Sequence, residues 1–251
     1  MTRRRWIADE VSGKTAALVG EHAAHLSRVL RAQIGQEFDI ATGDEVRRGT
    51  ITFISDDRIE FALGPGRTLK SMRLTSTPQI TLALSIFKFD RMEWAIEKCT
   101  EIGVTRIIPV IARRSDAHLA IAAVKRHERW QRIVRQAAEQ SRRSAPPEIS
   151  APVKLKDLAG SDVLPAGALT RIVLAESLAE SEEDTRLGEI LQSRWTQGEV
   201  TLAVGPEGGW ADAELAWFYE TGWVAASLGN TILRAETAAI VAIALALEAL
   251  R

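Results

Sequence analysis

Cysteine and histidine are scarce in this sequence of 251 residues, which contains one cysteine, Cys99, and four histidines. A single cysteine excludes an intrachain disulfide framework and a cysteine-based zinc site. His22, His25, His118 and His127 show no metal-ligand spacing. The sequence therefore predicts no metal site and a reducing compartment, for which the cytoplasm is the default.

Long apolar runs are also missing. No stretch reaches the roughly 18 uninterrupted apolar residues of a membrane-spanning helix, and the basic start "MTRRRWIADEV" lacks the apolar core of a signal peptide. We expect a protein that is neither exported nor bound in a membrane. With 46% hydrophobic and 26% charged residues, the composition fits a soluble protein of one large or two modest domains.

Charge is distributed unevenly, although the net charge is only −1. Residues 74–149 contain 13 basic and 8 acidic residues, whereas residues 150–251 contain 7 basic and 15 acidic residues. Residues 1–73 contain 12 basic and 10 acidic residues, so the first 149 residues are basic as a whole and favour an anionic partner, although ordinary surface variation would also produce this distribution.

Two regions of the sequence differ in the type and order of their predicted secondary-structure elements. Up to about residue 73, β-prone runs such as "EFDIAT", "GTITFIS" and "RIEFALG" predict a small antiparallel sheet or barrel. One helix interrupts it, with Leu26, Val29 and Leu30 on an apolar face and Gly35 at its end. From residue 74 onward, strands alternate with longer helices, which indicates an α/β domain with a mainly parallel sheet.

Helix caps are predicted at two aspartates of the second region. Asp90, with Glu93 completing a capping box, begins the helix of "DRMEWAIEKCTEIG", and Asp212 begins the helix of "DAELAWFYETG". The final helix has an apolar run from Ala238 to Leu247, too short to cross a bilayer, so a core or subunit interface is expected.

Two glycine-bearing turns follow strands of this second region, in "LAVGPEGGWADAE" and "SLGNTILRAETA". Glycine lets the main chain approach a ligand closely, and small ligands of α/β domains bind at the carboxyl ends of strands. Neither turn is a G-x-G-x-x-G loop or a P-loop, which argues against a standard dinucleotide or triphosphate site. Taken alone, the first turn could equally be a strand-to-helix connection that binds no ligand.

These turns resemble the paired carboxy-terminal signatures of the RsmE family, bacterial ribosomal RNA methyltransferases of the SPOUT class. "HLSRVLR", "KFDRMEWAIEKCTEIGVTRIIP" and "ERWQRIVRQAAEQSRR" match in the same order, so that the likeness covers nearly the whole chain. It implies an RNA-binding PUA-like β-barrel over 1–73 and a trefoil-knotted α/β methyltransferase domain over 74–251. It also implies S-adenosylmethionine (SAM) as cofactor, a homodimer formed through the knotted domain, and methylation of ring nitrogen 3 of a uridine in 16S ribosomal RNA of the assembled small subunit.

The same resemblance implies cofactor-binding residues in both turns: Val204, Gly205, Glu207, Gly208, Leu228, Gly229, Ile232 and Leu233. Arg234 is the candidate catalytic residue, because a guanidinium stays charged and offers planar donors to a uracil that loses its proton. A salt bridge to Glu236 or a backbone contact is its alternative role. Either Glu207 or Glu236 is a candidate base.

Contacts to RNA phosphate are expected from arginine and lysine side chains, here Arg5, Arg28, Arg31, Lys88, Arg114 and Arg142. The chain departs from the family pattern at Asn230 and Thr231, at His118, where lysine is frequent, and at Arg142, where glycine is frequent. Two other functions remain open: a catalytically silent RNA-binding protein on the same fold, and a methyltransferase of the same class acting on transfer RNA or on a ribose hydroxyl.

Overall fold

The structure, a computed structural model, describes residues 4–43, 45–68, 79–158, 163–164, 170–175, 186–195 and 198–250. The chain divides into two compact units. The first contains Met1–Ser76 and Arg135–Pro146, and the second contains Thr77–Val134 and Pro147–Arg251. The predicted domain boundary at residues 73 and 74 lies outside the described residues. The α/β class predicted from the sequence is confirmed.

A six-stranded sheet forms the first unit, with strand order β1-β4-β5-β6-β3-β2. Its strands are β1 (Trp6–Ile7), β2 (Glu10–Ser12), β3 (Thr15–Val19), β4 (Glu37–Ala41), β5 (Glu45–Ile54) and β6 (Arg58–Thr68). All neighbours are antiparallel except β1 and β4, which are parallel. The three predicted β-prone runs are therefore strands, and they bury a core that includes Trp6, Leu18, Leu26, Ile40, Ile51, Ile59 and Phe61.

The helix predicted in the first region is instead short and irregular. The helix α1 (Glu21–Ala24) continues directly into a π-helical turn, His25–Val29. Leu26 is buried, but Val29 and Leu30 are 64% and 52% exposed, so their predicted place on an apolar core face is wrong. A π-helical turn contains more residues than an α-helical one, and positions three and four after Leu26 therefore leave its face.

The second unit contains a seven-stranded sheet in which all pairs are parallel, as predicted. The strands are β7 (Gln79–Ser85), β8 (Arg106–Ile111), β9 (Glu148–Ile149), β10 (Val153–Lys154), β11 (Thr170–Leu174), β12 (Glu199–Val204) and β13 (Val224–Ala226). Their order is β10-β8-β7-β12-β11-β13, and β9 pairs with β8. Both faces are covered, which explains why these strands are continuous apolar runs.

The remaining helices are α2 (Phe89–Ile102), α3 (Ala117–Gln140), α4 (Leu187–Arg194), α5 (Asp212–Glu220) and α6 (Ala235–Ala249). Helix α6 packs against α2 and α4, with Ala239, Ala242, Ile243 and Ala246 fully buried, as expected for a core helix. Within the described ranges, none of the helices is long and apolar enough to cross a membrane, and no group of side chains could hold a metal ion.

Both predicted caps are wrong by one or two residues. Lys88 is the N-cap of α2, so that Asp90 lies inside the helix. Ala211 is the N-cap of α5, and Asp212 is its first residue. Glu93 completes no capping box, because with Lys88 as N-cap the third helical residue is Arg91. Its carboxylate accepts hydrogen bonds from two arginines of α3, Arg126 and Arg129.

Candidate active site

The two glycine-bearing turns lie side by side because three neighbouring strands end at the same level. Leu174, the last residue of β11, pairs with Val204 at the end of β12 and with Ala226 at the end of β13. The carboxyl ends of parallel strands meet at one edge of the sheet, where α/β proteins bind ligands. The turns after β12 and β13 therefore leave the sheet at the same edge.

A cavity of about 660 Å³ opens at this edge, within the size range of small-molecule sites. It is lined by all nine residues predicted for cofactor binding and catalysis: Val204, Gly205, Glu207, Gly208, Leu228, Gly229, Ile232, Leu233 and Arg234. The cavity wall also contains residues that the sequence did not suggest, namely Arg91, Leu174, Trp210 and Ser227. Two turns that follow different strands, β12 and β13, thus form one concave surface.

The first turn is held against β11 by Trp210. Its indole Nε1 donates a hydrogen bond to the carbonyl oxygen of Leu174 at 3.0 Å, and the side chain is buried. A Cβ atom at Gly205 would lie 3.3 Å from the indole ring, tighter than usual packing. Gly209 has φ +68°, a conformation that other residues rarely adopt. The glycines of this turn are therefore needed for its close packing and its backbone path.

A second set of bonds attaches this turn to the segment that follows β8. The Nη1 of Arg114 donates to the carbonyl oxygens of Gly208 at 2.9 Å and Trp210 at 3.0 Å. The buried carboxylate of Glu214 accepts hydrogen bonds from the main-chain nitrogens of Arg113 at 2.7 Å and Ala211 at 2.8 Å. Arg114, predicted as an RNA contact, thus uses part of its guanidinium to fix the cavity wall.

The second turn provides a buried hydroxyl with no partner in the described part of the chain, and a glycine with a positive φ angle. Ser227 is buried, and its Oγ has no hydrogen-bond partner within the described residues. An unpaired buried hydroxyl is costly, and it offers a ligand both a donor and an acceptor. Gly229 has φ +120°, which side chains disfavour, although open space surrounds it. Ile232 is 80% exposed at the cavity.

Arg234 is the N-cap of α6 and is exposed. Among the described residues it makes no ion pair or side-chain hydrogen bond, so its suggested salt bridge to Glu236 is not formed. Glu236 lies 3.8 Å, Oε1 to Nε, from Arg91 instead. The side chain of Glu236 is 8% exposed, and its Oε2 has no partner in the described part of the chain.

The predicted RNA-binding residues are divided between the two units. Arg5, Arg28, Arg31 and Arg142 belong to the first unit, whereas Lys88 and Arg114 belong to the second. Arg28 forms an exposed ion pair with Asp56, with Nη2 and Oδ2 3.0 Å apart. Lys88 is exposed beside the first turn of α2.

Arg142 has an unusual backbone conformation, with φ +61° just after the end of α3. Its Nη2 lies 3.0 Å from an oxygen of Asp39, and its carbonyl oxygen accepts a hydrogen bond from the guanidinium of Arg5. Burial and the charge of Arg142 lower the pKa of Arg5, and Asp39 opposes that shift. The two arginines and Asp39 therefore form one connected group in the first unit.

Comparisons with known proteins agree with this geometry. A family model described as an RNA methyltransferase domain matches residues 75–247. A Synechocystis protein named ribosomal RNA small subunit methyltransferase E is 32% identical over 241 residues, covering 94% of this chain and 74% of that protein. A Mycobacterium bovis protein of the same name is 33% identical over 241 residues, covering 92% of this chain and 86% of its own.

Solved structures show the same similarity at the level of the fold. The ribosomal RNA small subunit methyltransferase E of Neisseria gonorrhoeae, bound to SAM, has a TM-score of 0.81 and 31% identity, covering 96% of this chain and 95% of that chain. A SAM-bound putative methyltransferase of Legionella pneumophila has a TM-score of 0.80 and 26% identity, and the match covers 99% of this chain and 97% of that chain. From the extent of these matches, the chain belongs to the RsmE family of ribosomal RNA small subunit methyltransferases.

Proposed function

We propose that this protein methylates ring nitrogen 3 of a uridine in 16S ribosomal RNA, with the assembled small subunit as substrate. The cofactor is SAM. The observation that carries the proposal is the convergence of nine residues, chosen from two separate sequence motifs, on one cavity. SAM-bound relatives of the same fold support the cofactor, whereas the nitrogen and the assembled subunit rest on the family resemblance.

The residues of the cavity fit this cofactor. Its volume suits a nucleoside-sized ligand, and its two turns expose main-chain groups at glycines. The hydroxyl of Ser227, which has no partner among the residues that the structure describes, is a hydrogen-bonding group in the wall. Trp210 and the leucines of the second turn supply apolar contacts for an adenine. These residues would hold SAM, with Gly205 and Gly229 allowing its close approach.

When bound, SAM supplies an activated methyl group on a sulfonium, and this methyl replaces the proton on N3 of the uracil. Alignment of donor and acceptor is the first task of the protein. Arg234 donates to a uracil carbonyl oxygen, where negative charge develops as the N3 proton leaves, and it is available because it forms no ion pair with any residue that the structure describes. The proton passes to a base. Of the two candidates, Glu207 lines the cavity, whereas Glu236 is occupied with Arg91.

The remaining family features belong to the same proposal. The second unit carries the SPOUT trefoil knot and forms the homodimer, and the first unit is a PUA-like domain that binds RNA through Arg5, Arg28, Arg31 and Arg142. Domain limits of 1–73 and 74–251 follow the family pattern. Cytoplasmic localisation and a role in ribosome biogenesis agree with an RNA substrate.

Mass-spectrometric mapping of 16S RNA from cells with and without the gene tests the proposal. We expect one N3-methyluridine to disappear on deletion and to return with the wild-type gene. Loss of a transfer RNA methylation or of a ribose 2′-O-methyl group instead would assign the protein to another substrate. Unchanged RNA, together with SAM binding in calorimetry, would refute the RNA assignment, and no SAM binding would indicate a silent RNA-binding protein.

A further inference from the structure

Glu236 and Arg91 form an ion pair beside the cavity, between a buried side chain and a partly exposed one, that no step of the proposed reaction uses. The side chain of Glu236, in the first turn of α6, is 8% exposed, and Arg91 projects from the first turn of α2. A buried carboxylate needs a cation nearby, and the N-terminal end of the helix dipole stabilises it further. Oε1 lies 3.8 Å from Nε, which is an ion pair without a hydrogen bond.

Arg91 keeps its hydrogen-bonding capacity in this arrangement. A guanidinium has five N–H donors, and within the described residues Arg91 makes no side-chain hydrogen bond. Its side chain is 34% exposed and lines the cavity. The carboxylate behind it therefore fixes a positive charge at the cavity wall and leaves its donors available to a ligand.

The charge of the cavity indicates which class of ligand Arg91 contacts. Its described lining contains three arginines, Arg91, Arg114 and Arg234, and one acidic residue, Glu207. One positive charge remains in excess when Glu236 is counted against Arg91. SAM brings a positive sulfonium and an amino group with one carboxylate, so it is itself cationic and does not balance this excess. A second ligand that is anionic would balance the positive charge. The phosphodiester groups of RNA are such anions, and they pair well with arginine.

We infer that Arg91 is a substrate-binding residue that contacts a phosphate oxygen of the RNA strand at the target nucleotide, and that Glu236 positions it. This inference rests on the proposed function and adds a residue in α2 to the two turns. The shared chemistry is an oxyanion, so the carboxylate of SAM is the competing occupant. Binding of an RNA phosphate and binding of the SAM carboxylate differ in how their affinity depends on salt, because neutralising phosphates releases counterions from RNA.

Arg91→Gln, Glu236→Gln and the double variant test the inference, with Arg106→Gln as matched control. Arg106 begins β8, at the opposite edge of the same sheet, and pairs with the exposed Glu148, so its replacement makes the same charge change away from the cavity. For each protein we would measure SAM affinity by calorimetry, small-subunit binding at several salt concentrations, and KM and kcat for methyl transfer.

For Arg91→Gln we expect RNA affinity to fall about tenfold, with a salt slope smaller by about one and SAM affinity changed less than about twofold. KM for RNA should rise more than kcat falls. Glu236→Gln should give a weaker loss of the same kind, and the double variant should be no worse than Arg91→Gln, because Glu236 acts through Arg91.

Lost SAM binding with unchanged RNA affinity would assign Arg91 to the cofactor carboxylate and overturn the inference. Equal RNA affinity and salt slope in Arg91→Gln and Arg106→Gln would overturn it as well. Additive effects of the two single variants would refute the positioning role of Glu236. If the wild-type protein binds SAM and methylates RNA, these outcomes leave the proposed function intact. If it does neither, the proposed function itself fails.

Discussion

The guanidinium Nη1 of Arg114 lies 2.9 Å from the carbonyl oxygen of Gly208, and so joins the segment after β8 to the glycine-rich turn after β12. A second bond from the same nitrogen reaches Trp210 at 3.0 Å. Arg114 is therefore a structural part of the cavity wall. The sequence suggested Arg114 as an RNA contact, but these two bonds indicate that its replacement would disturb the turn.

Replacing Arg114 should affect the cofactor site more than RNA binding. In Arg114→Gln the turn loses both bonds, and we expect the SAM dissociation constant in calorimetry to rise about tenfold, as two lost hydrogen bonds of about 1 kcal/mol each would permit. Arg113→Gln is the matched control, since only the main chain of Arg113 bonds to Glu214. Reduced RNA affinity with normal SAM affinity would show that Arg114 mainly contacts RNA.

Arg142 combines an unfavourable backbone conformation with a place in the arginine group of the first unit. Its φ of +61° is one that glycine adopts without strain, and relieving it typically gains about 1 kcal/mol. In Arg142→Gly this gain offsets the lost ion pair with Asp39, so the free energy of unfolding should change by less than about 1 kcal/mol. RNA affinity should fall, with a salt slope smaller by about one.

Equilibrium unfolding and binding titrations across a salt series would measure both effects. Arg47→Gly is unsuitable as a control, because the Arg47 side chain bonds to main-chain oxygens within the sheet. Lys14→Gln, in the β2–β3 turn of the same unit, is the better comparison for charge. RNA affinity and salt slope equal to wild type in Arg142→Gly would remove Arg142 from the RNA-binding surface.

Stability of the first unit should depend on pH through Asp9. Burial of Asp9 raises its pKa, but hydrogen bonds from His22 and the Val19 main chain, together with the charge of Arg135, outweigh burial and lower it below the ordinary 3.8. A lowered pKa in the folded state means that the unfolded chain binds protons first. The contribution of Asp9 is thus present above pH 3.8 and is lost as the pH falls through its folded pKa.

Asp9→Asn should therefore lower the free energy of unfolding at pH 7 by about 1–3 kcal/mol, because Arg135 loses a charged partner 2.7 Å away. The difference from wild type should shrink in denaturant titrations below pH 3.8. Asp56→Asn, which removes an exposed carboxylate, is the control and should cost little. If the free energy of unfolding differed between Asp9→Asn and wild type by the same amount from pH 7 to pH 3, ionisation of Asp9 would not be the source of the stability.

Cys99 should be unreactive in the folded protein. It is fully buried in the core on α2, and burial raises the pKa of its thiol to about 12. Thiolate is the reactive form, so a thiol reagent at pH 8 should label the native protein very slowly and the guanidinium-unfolded chain rapidly. Rapid labelling without unfolding would show that α2 opens readily.

Sequence patterns predicted the parallel sheet and the location of the cavity for a physical reason. Strands after residue 78 are continuous apolar runs, and parallel strands direct their carboxyl-terminal turns to one edge. Two glycine-bearing turns after strands therefore had to be near each other if β11, β12 and β13 were neighbours. The pairing of Leu174 with both Val204 and Ala226 fulfils that condition.

Other features depend on contacts that no local pattern contains. Arg91 and Glu236 lie 145 positions apart, and only the packing of α2 against α6 brings them together. The N-caps Lys88 and Ala211 were missed because aspartate is favoured both at the cap and in the first helical turn, so composition does not fix the first residue. A π-helical turn has no sequence signature comparable with the α-helical period, which explains the error at Val29 and Leu30.

We propose that Arg234 assists the transfer of a methyl group from SAM to RNA in the cavity. The most direct test compares wild type and Arg234→Lys in methyl transfer from labelled SAM to assembled small subunits, with SAM affinity measured in parallel. Lysine keeps the charge but loses the planar donors, so we expect the turnover rate to fall by about 10²–10³ while SAM affinity stays within about twofold. Wild-type turnover in a folded Arg234→Lys protein would show that Arg234 does not act in methyl transfer.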